Sequence, residues 1–148
     1  MSDLLDAVEA AQENIQRLAD PVELRNAAGQ VVEFARSSGV RSVMAASPAA
    51  ERLVGALLSS GEDLVGLTGC ASATSAVLLV DVNLASGTAL AQAARCVREA
   101  GAVRVLAVVL HQLTATTAGA ADCGVDVLNV LDPRDPRPIA GPTGSGLL

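Results

Sequence analysis

The sequence contains no lysine, no tryptophan and no tyrosine, and Phe34 is its only phenylalanine. The absence of lysine excludes Schiff-base chemistry on an ε-amino group. The absence of aromatic platforms excludes the stacking modules that bind single-stranded nucleic acid. In addition, the formal net charge of -6 would repel a phosphate backbone. We therefore expect no nucleic-acid partner.

Long apolar runs, a basic leader and paired cysteines are also lacking. No run of about 20 apolar residues is available to span a membrane. Asp3 and Asp6 stand where a secretory leader carries basic residues. The cysteines are odd in number and show no Cys-x-x-Cys spacing, so we interpret them as reduced thiols without a zinc site: Cys70, Cys96 and Cys123. These features predict a cytoplasmic protein with no membrane partner.

Residues 1–39 show the pattern of two amphipathic helices. Hydrophobic residues make up 51% of the 148 residues, which is ample for the core of one domain. Asp20, Pro21 and Glu23 have the spacing of a capping box at the start of the second helix. The two apolar stripes consist of Leu4, Val8, Ala11, Ile15 and Leu18, and of Leu24, Ala28, Val31 and Ala35. We predict an N-terminal helical hairpin that packs on its own core or on a partner, which leaves a homodimer open.

Short apolar runs alternate with helical stretches from residue 40 to residue 132. Two of the runs, Val77–Val80 and Val105–Leu110, are apolar on both faces, as central parallel strands require. The predicted strands are Val40–Ala46, Leu64–Leu67, Val77–Val80, Val103–Leu110 and Val125–Leu131, with helices near Ala50–Leu58 and Thr88–Ala100. This alternation predicts an α/β fold with a doubly wound, mainly parallel, Rossmann-like sheet. Residues 133–148 are rich in proline and glycine and are predicted to form an extended or disordered tail.

The segment Val77–Leu90 is the most informative part of the chain. Ligands of such sheets bind beyond the carboxyl ends of the strands. Here Asp81 follows an apolar run at the predicted strand tip, and Ser86, Gly87 and Thr88 lead into a helix. Their main-chain amides and two hydroxyls can surround an anion, and glycine permits its close approach. We predict an anion site with a carboxylate beside it.

This segment resembles the phosphoribosyl-diphosphate (PRPP) signature of the type I phosphoribosyltransferases. Asp81 matches the first acid of that pattern, Gly87 its glycine and Ser86 the hydroxyl before it. The resemblance implies a type I phosphoribosyltransferase-like fold that binds PRPP or a nucleotide 5′-phosphate, with Mg²⁺ only if PRPP binds. Asp81 would then hold a ribose hydroxyl. The implied phosphate cradle consists of Ala85, Ser86, Gly87, Thr88 and Ala89, and the implied diphosphate loop of Ser47, Pro48 and Ala49.

Catalysis is left open, and we assign no catalytic residue and no metal ligand. Val82 stands at the position of the second acid, and the connection from residue 68 to residue 76 contains no basic residue. These departures favour binding, or a non-catalytic regulatory or assembly role for the N-terminal helices, over turnover. A tight strand-to-helix turn capped by Ser86 and a sugar-isomerase domain are the other interpretations of the loop. His111 is either a core histidine or a general base, and Cys70 has no neighbour in sequence that would activate its thiol.

Overall fold

The computed structural model describes residues 2–60, 63–67, 76–84, 87–112, 127–132 and 135–139. The helices are α1 (Ser2–Arg17), α2 (Pro21–Ser38), a short 3-10 helix (Pro48–Ala50), α3 (Glu51–Ser59) and α4 (Thr88–Glu99). The strands are β1 (Ser42–Ala45), β2 (Val65–Gly66), β3 (Ala76–Leu84), β4 (Arg104–Gln112), β5 (Val127–Asp132) and β6 (Asp135–Ile139). None of the helices within these ranges combines the length and hydropathy needed to span a bilayer.

Six strands form one sheet in the order β2-β1-β3-β4-β5-β6. All neighbouring strands from β2 to β5 pair in parallel, and β6 pairs with β5 in the antiparallel direction. After β2 at one edge, the chain passes β1 and continues with β3 on the other side of it. The strand order therefore reverses between β1 and β3, and α/β sheets bind their ligands at such a switch point.

The central strands β3 and β4 are buried on both faces, as their doubly apolar sequence predicts. On one face, Leu78 and Val80 pack against α2 and α3. On the other face, Val77 and Leu79 pack against α4. A parallel sheet with helices on both faces confirms the predicted α/β class.

The ends of α2 follow from its sequence. The Asp20 carboxylate accepts the N–H of Val22 at 2.9 Å and caps the helix, and Gly39 ends it with φ 74°. The predicted capping box is wrong in one respect. Glu23 does not close it and lies 4.0 Å from Arg17 instead. The reason is that the N–H of Asp20 already donates to the carbonyl of Arg17, so it offers nothing to the Glu23 side chain.

The apolar stripe predicted for α1 is only partly buried. Leu18 is buried, but Val8 is 47% exposed and Ile15 is 40% exposed. The helix turns Asn14 inward instead, because Asn14 Nδ2 donates a 2.8 Å hydrogen bond to Oδ1 of Asn83 on β3. Val8 and Ile15 therefore do not pack on the chain's own core, and they form an apolar strip on the surface of α1.

Part of the predicted tail belongs to the sheet. Residues Asp135–Ile139 form β6 at the edge, while residues 133, 134 and 140–148 lie outside the described ranges. Pro136 and Pro138 have no N–H to donate, and an edge strand tolerates this because one of its sides needs no donors. The position of β6 at the edge is thus compatible with its two prolines.

The cysteines depart from the sequence-based interpretation at one position. Cys96 is exposed on α4 and is disulfide-bonded, with its partner outside the described residues. The prediction of a reduced thiol is therefore wrong at Cys96. An odd number of cysteines excludes the pairing of all three, but it leaves room for one pair.

The cap of α2 gives a first test of the fold. Asp20→Ala removes the acceptor for the Val22 N–H, and the loss of such a cap costs about 1 kcal/mol. We expect the Tm to fall by about 2–4 °C in a thermal melt followed by circular dichroism. Asp20→Ser keeps an acceptor and should melt within a degree or so of the wild type. Equal losses in the two variants would show that the cap does not stabilise α2.

Candidate functional site

Asp81 lies where β3 loses one of its two neighbours. β1 ends at Ala45, opposite Val80, and the Ala46 N–H makes one further bond to the Val80 carbonyl at 2.8 Å. From there to Leu84, β3 pairs only with β4. The prediction that Asp81 occupies the strand tip is therefore wrong, because continued pairing with β4 extends β3 beyond it. Asp81 nevertheless borders the open end of β1.

The Asp81 carboxylate is held from the loop that follows β1. Ser47 Oγ donates to Oδ1 of Asp81 at 2.7 Å, and the N–H of Val82 donates to the same oxygen at 2.8 Å. Among the residues that the structure describes, none donates to Oδ2. The switch point between β1 and β3 thus contains a carboxylate with one oxygen fixed and the other available.

Burial controls the protonation of this group. Asp81 is only 6% exposed, and burial raises the pKa of its carboxyl above the ordinary value. The hydrogen bonds from Ser47 and from the Val82 amide favour the ionised form and oppose that rise. Burying this carboxylate costs free energy, because its charge is desolvated. It is therefore a candidate for function, since groups with perturbed pKa values concentrate at binding and catalytic sites.

The amino end of α4 lies on the same face of the sheet as Asp81. Val80 and Val82 belong to the cluster under α2 and α3, so the alternation of side chains turns Asp81 towards α4. Gly87 precedes α4 with φ 84°, a left-handed conformation that favours glycine. The N-cap residue is this glycine, which has no side chain to cap the helix, and the first internal bond runs from the Ala91 N–H to the Gly87 carbonyl at 2.9 Å. Such a helix end attracts anions through its amides and its dipole.

The proposed diphosphate loop forms a turn after β1. Pro48 and Ala49 belong to the 3-10 helix, which the Ala50 N–H closes by donating to the Ser47 carbonyl at 3.0 Å. Ser47 is extended, and its hydroxyl bonds to Asp81 and does not cap this turn. The structure therefore brings Ser47 to the acid, a contact that the sequence does not indicate.

Some predicted site residues lie outside the described ranges. They are Ala85 and Ser86 of the predicted cradle and Cys70 of the connection before β3. Of the remaining cradle residues, Gly87 is buried, Thr88 is exposed and Ala89 is partly buried. The described part of the candidate site is thus the bonded pair of Ser47 and Asp81, with the first residues of α4 on the same face of the sheet.

His111 occupies a different place. It is 5% exposed and lines a cavity of about 80 Å³ together with Asn14 and Leu18, on the face covered by α2. This placement supports the interpretation of His111 as a core histidine and gives no support to a general base acting beside Asp81.

The amide pair that fixes α1 is not among the features predicted from the sequence. Asn83 accepts from Asn14 and donates through its own Nδ2 to the carbonyl of Ala11 at 3.2 Å. Asn14 follows Ala11 by three positions and precedes Leu18 by four, so it lies on the same face of the helix as both. A polar residue within an apolar stripe was the indication available in the sequence.

Comparisons with known proteins assign no family. No protein-family model matches the chain, and no curated protein matches it. Within the described ranges, no three side chains of histidine, cysteine, aspartate or glutamate cluster as metal ligands. The geometry at Asp81 is therefore the main indication of function.

The raised pKa of Asp81 predicts how the stability of the protein depends on pH. When Asp81 is ionised in both the folded and the unfolded protein, the folded protein bears the full cost of the buried charge. That cost disappears as the pH falls through the raised folded pKa. Asp81→Asn keeps an acceptor for Ser47 and Val82 and removes the charge. We expect its Tm to exceed that of the wild type by about 2–4 °C at pH 7, the effect of about 1 kcal/mol in a domain of this size.

The advantage of Asp81→Asn should shrink in melts recorded at progressively lower pH. Ser47→Ala is the matched comparison, because it removes a bond that favours the ionised carboxyl. We expect Ser47→Ala to lower the Tm at pH 7, and to lower it less when Asp81 is already Asn. A lower Tm for Asp81→Asn at every pH would contradict the assignment of a costly buried charge.

Proposed function

We propose that this protein binds a small ligand carrying a ribose 5-phosphate, either PRPP or a nucleotide, at the switch point between β1 and β3. The observation that carries the proposal is the bond between Ser47 and Asp81 across that switch point, on the face where Gly87 opens α4. The proposal includes a type I phosphoribosyltransferase-like fold. The parallel sheet with helices on both faces supports it.

Asp81 is the residue proposed to bind the sugar. Ser47 and the Val82 amide fix Oδ1, so the carboxylate cannot rotate freely and Oδ2 is the oxygen left for a ribose hydroxyl. A hydrogen bond to a charged acceptor contributes about 1.5–3 kcal/mol. Val82 is fully buried in the core and offers no second carboxylate. One ribose hydroxyl therefore donates to a charged acceptor, Oδ2 of Asp81.

The amino end of α4 is the part proposed to bind the phosphate. Gly87 has no Cβ at the point where an anion would approach, and the dipole of the helix contributes about 0.3–1 kcal/mol for a negative charge. The full cradle of the proposal extends over Ala85–Ala89. It requires no lysine, because main-chain amides and the hydroxyls of Ser86 and Thr88 supply the donors.

Diphosphate binding is the least supported part of the site. The loop Ser47–Ala49 begins two residues after the end of β1, and Glu51 starts α3 immediately after the 3-10 helix. A carboxylate at this place repels a second anion. Mg²⁺ enters the proposal only with PRPP, as an ion held mainly by the substrate phosphates.

The proposal is one of binding, with turnover left open. Transfer from PRPP requires a positioned nucleophile and a neutralised diphosphate leaving group. Val82 supplies no carboxylate at the second acid position, and Glu51 adds a negative charge beside the diphosphate loop. These residues make both requirements harder to meet. A binding or regulatory role needs only the phosphate cradle and Asp81, and these are the features that the geometry supports.

Thermal melts and titration calorimetry test ligand binding. With PRPP and Mg²⁺, or with a 5′-nucleotide, at about 100 times Kd, the gain of about 2.7 kcal/mol raises the Tm by about 5–10 °C. Asp81→Asn should weaken binding by about 10- to 100-fold, since it replaces a charged acceptor. Gly87→Asn retains a residue that tolerates a left-handed φ but adds a side chain at the phosphate, so it should abolish the shift. Ribose 5-phosphate should bind more tightly than inorganic phosphate.

Val103→Ser is the control for these variants. Val103 is 76% exposed and precedes β4, at the opposite end of the strands from the site, so its substitution should leave the ligand-induced shift unchanged. The absence of heat and of a Tm shift at millimolar ligand would reject the proposal. A shift retained in full by both site variants would reject this location for it.

Release of diphosphate separates a transferase from a binding protein. Labelled PRPP is incubated with the protein, Mg²⁺ and a panel of nitrogenous bases, and free diphosphate is measured. We expect binding without release above the Asp81→Asn background. Release that depends on one base and on Asp81 would instead establish a working phosphoribosyltransferase.

A further inference from the structure

An apolar groove runs between α2 and α3 on the face of the sheet that these helices cover. Its volume is about 810 Å³, and no residue of the ribose site lines it. Pockets for small molecules have volumes of about 300–1,000 Å³ and are mostly apolar, with a few polar groups that orient the ligand. The floor of the groove on α2 consists of Leu24, Ala28 and Val32, which follow one another at intervals of four residues. The groove therefore has the size and the lining of a small-molecule site.

The two helices that form the groove run in the same direction. β1 and β2 are parallel, so α3 between them returns from the carboxyl end of the sheet to its amino end. α2 leads into the amino end of β1, and its first turns line a cavity with Leu110 and His111 at the carboxyl end of β4. Residues early in both helices therefore lie at one end of the groove, and residues late in both helices lie at the other end.

The rims of the groove change character from one end to the other. Each helix contributes three rim residues at intervals of four positions: Arg25, Gly29 and Glu33 on α2, and Arg52, Ala56 and Ser60 on α3. This spacing places the residues of each set along one line of their helix. The groove thus has two arginines at its first end, two small residues in its middle, and an acid and a hydroxyl at its far end.

The polar groups of the far end already have partners within the chain. Glu33 forms an ion pair with Arg36 at 2.9 Å, and the Ser60 hydroxyl donates to the Leu57 carbonyl at 2.7 Å. By contrast, neither arginine of the first end has a hydrogen-bond or ion-pair partner among the residues that the structure describes. Two cations at the same end of a groove repel each other, and an anion between them removes that repulsion. The unfilled requirement of the groove is therefore an anion at its first end.

The middle of the groove is open over Gly29. A Cβ added at Gly29 would meet no atom within 4 Å, so the apolar floor is accessible along its length. The eight positions from Arg25 to Glu33 correspond to about 12 Å along α2. An occupant that begins at the arginines therefore has about that length of apolar contact before it reaches the far end.

We propose that this groove binds an elongated apolar molecule with a single terminal carboxylate, of the class of medium-chain fatty acids. The carboxylate lies between Arg25 and Arg52, whose planar guanidinium groups can each donate two parallel hydrogen bonds to it. The alkyl body covers the apolar floor and passes over Gly29. The far end requires no charge from the ligand, because Glu33 is already neutralised by its ion pair. This inference does not depend on the ligand proposed for Asp81.

Titration calorimetry of the full chain tests the chemistry of the ligand. Decanoate carries both parts of the proposed ligand, whereas decan-1-ol carries only the apolar body and acetate only the charge. We expect saturable one-to-one binding of decanoate, and binding weaker by about tenfold or more for the other two. No saturable heat with millimolar decanoate, or equal affinity for decanoate and decanol, would overturn the proposal.

Substitution of the two arginines tests the anion end of the groove. Arg25→Gln and Arg52→Gln should each weaken decanoate binding by about tenfold, since each removes a charged donor, and should leave the weak binding of decanol unchanged. Arg95→Gln is the matched control, because Arg95 is also an exposed helical arginine but lies on α4, outside the groove. Decanoate binding that both groove variants retain in full would overturn the proposal.

Substitution of Gly29 tests the apolar part of the groove. Gly29→Leu should fold, because the space around this position is open, and should abolish decanoate binding by filling that space. Gly55→Leu is the matched control, since Gly55 is also an exposed helical glycine with no atom within 4 Å of an added Cβ, but it does not line the groove. Circular dichroism checks that both variants are folded. Equal losses of decanoate binding in the two variants would contradict the proposed location.

Nuclear magnetic resonance of isotope-labelled protein separates this groove from the ribose site and from a protein interface. Decanoate should shift the amide resonances of α2 and α3, leave those of Asp81 and Val82 unchanged, and remain bound when a 5′-nucleotide is added. Displacement by the nucleotide would overturn a separate site. Self-association of the wild type in sedimentation that Arg52→Gln abolishes would assign the groove to a second copy of the chain and overturn the proposal as well.

Discussion

The pairing of β3 with β4 is the constraint on which the rest of the structure depends. Both strands are buried on their two faces, and their register runs from Ala76 opposite Arg104 to Leu84 opposite Gln112. Because the pairing continues after β1 has ended, β3 carries Asp81 past the last β1 contact and within reach of Ser47. The same extension carries Asn83 to α1. The candidate site and the anchoring of the N-terminal helix therefore both follow from the length of one strand pair.

The elements that the sequence predicts well are those whose information is local. Val77–Val80 and Val105–Leu110 are apolar at every position, so their burial on both faces needs no knowledge of their partners. The start of α2 follows from Asp20 and Pro21, and its end from Gly39, because caps are decided within a few residues. The start of α4 belongs with these, since the helix predicted near Thr88–Ala100 is observed at Thr88–Glu99.

The remaining features depend on distant residues. The apolar stripe of α1 indicates a helix but does not indicate which side packs, since that choice is made by Asn83, 69 positions away in the chain. The position of Asp81 within β3 depends on where β1 stops and on how far β4 continues. β6 is not predicted, because Pro136 and Pro138 argue against a strand. They are compatible with a strand only at the edge of a sheet, where no neighbour needs the N–H groups that they lack.

The amide pair between Asn14 and Asn83 has a consequence during synthesis of the chain. α1 is made first, and at about 5–20 residues per second its partner follows about 3–14 s later. During that interval, an apolar residue at position 14 would associate non-specifically with any exposed hydrophobic surface nearby. An asparagine gains nothing from such an encounter, since its amide finds a donor and an acceptor at the right spacing only once β3 exists. The nascent helix can therefore remain undocked until β3 has been made, with little risk of a non-native hydrophobic contact.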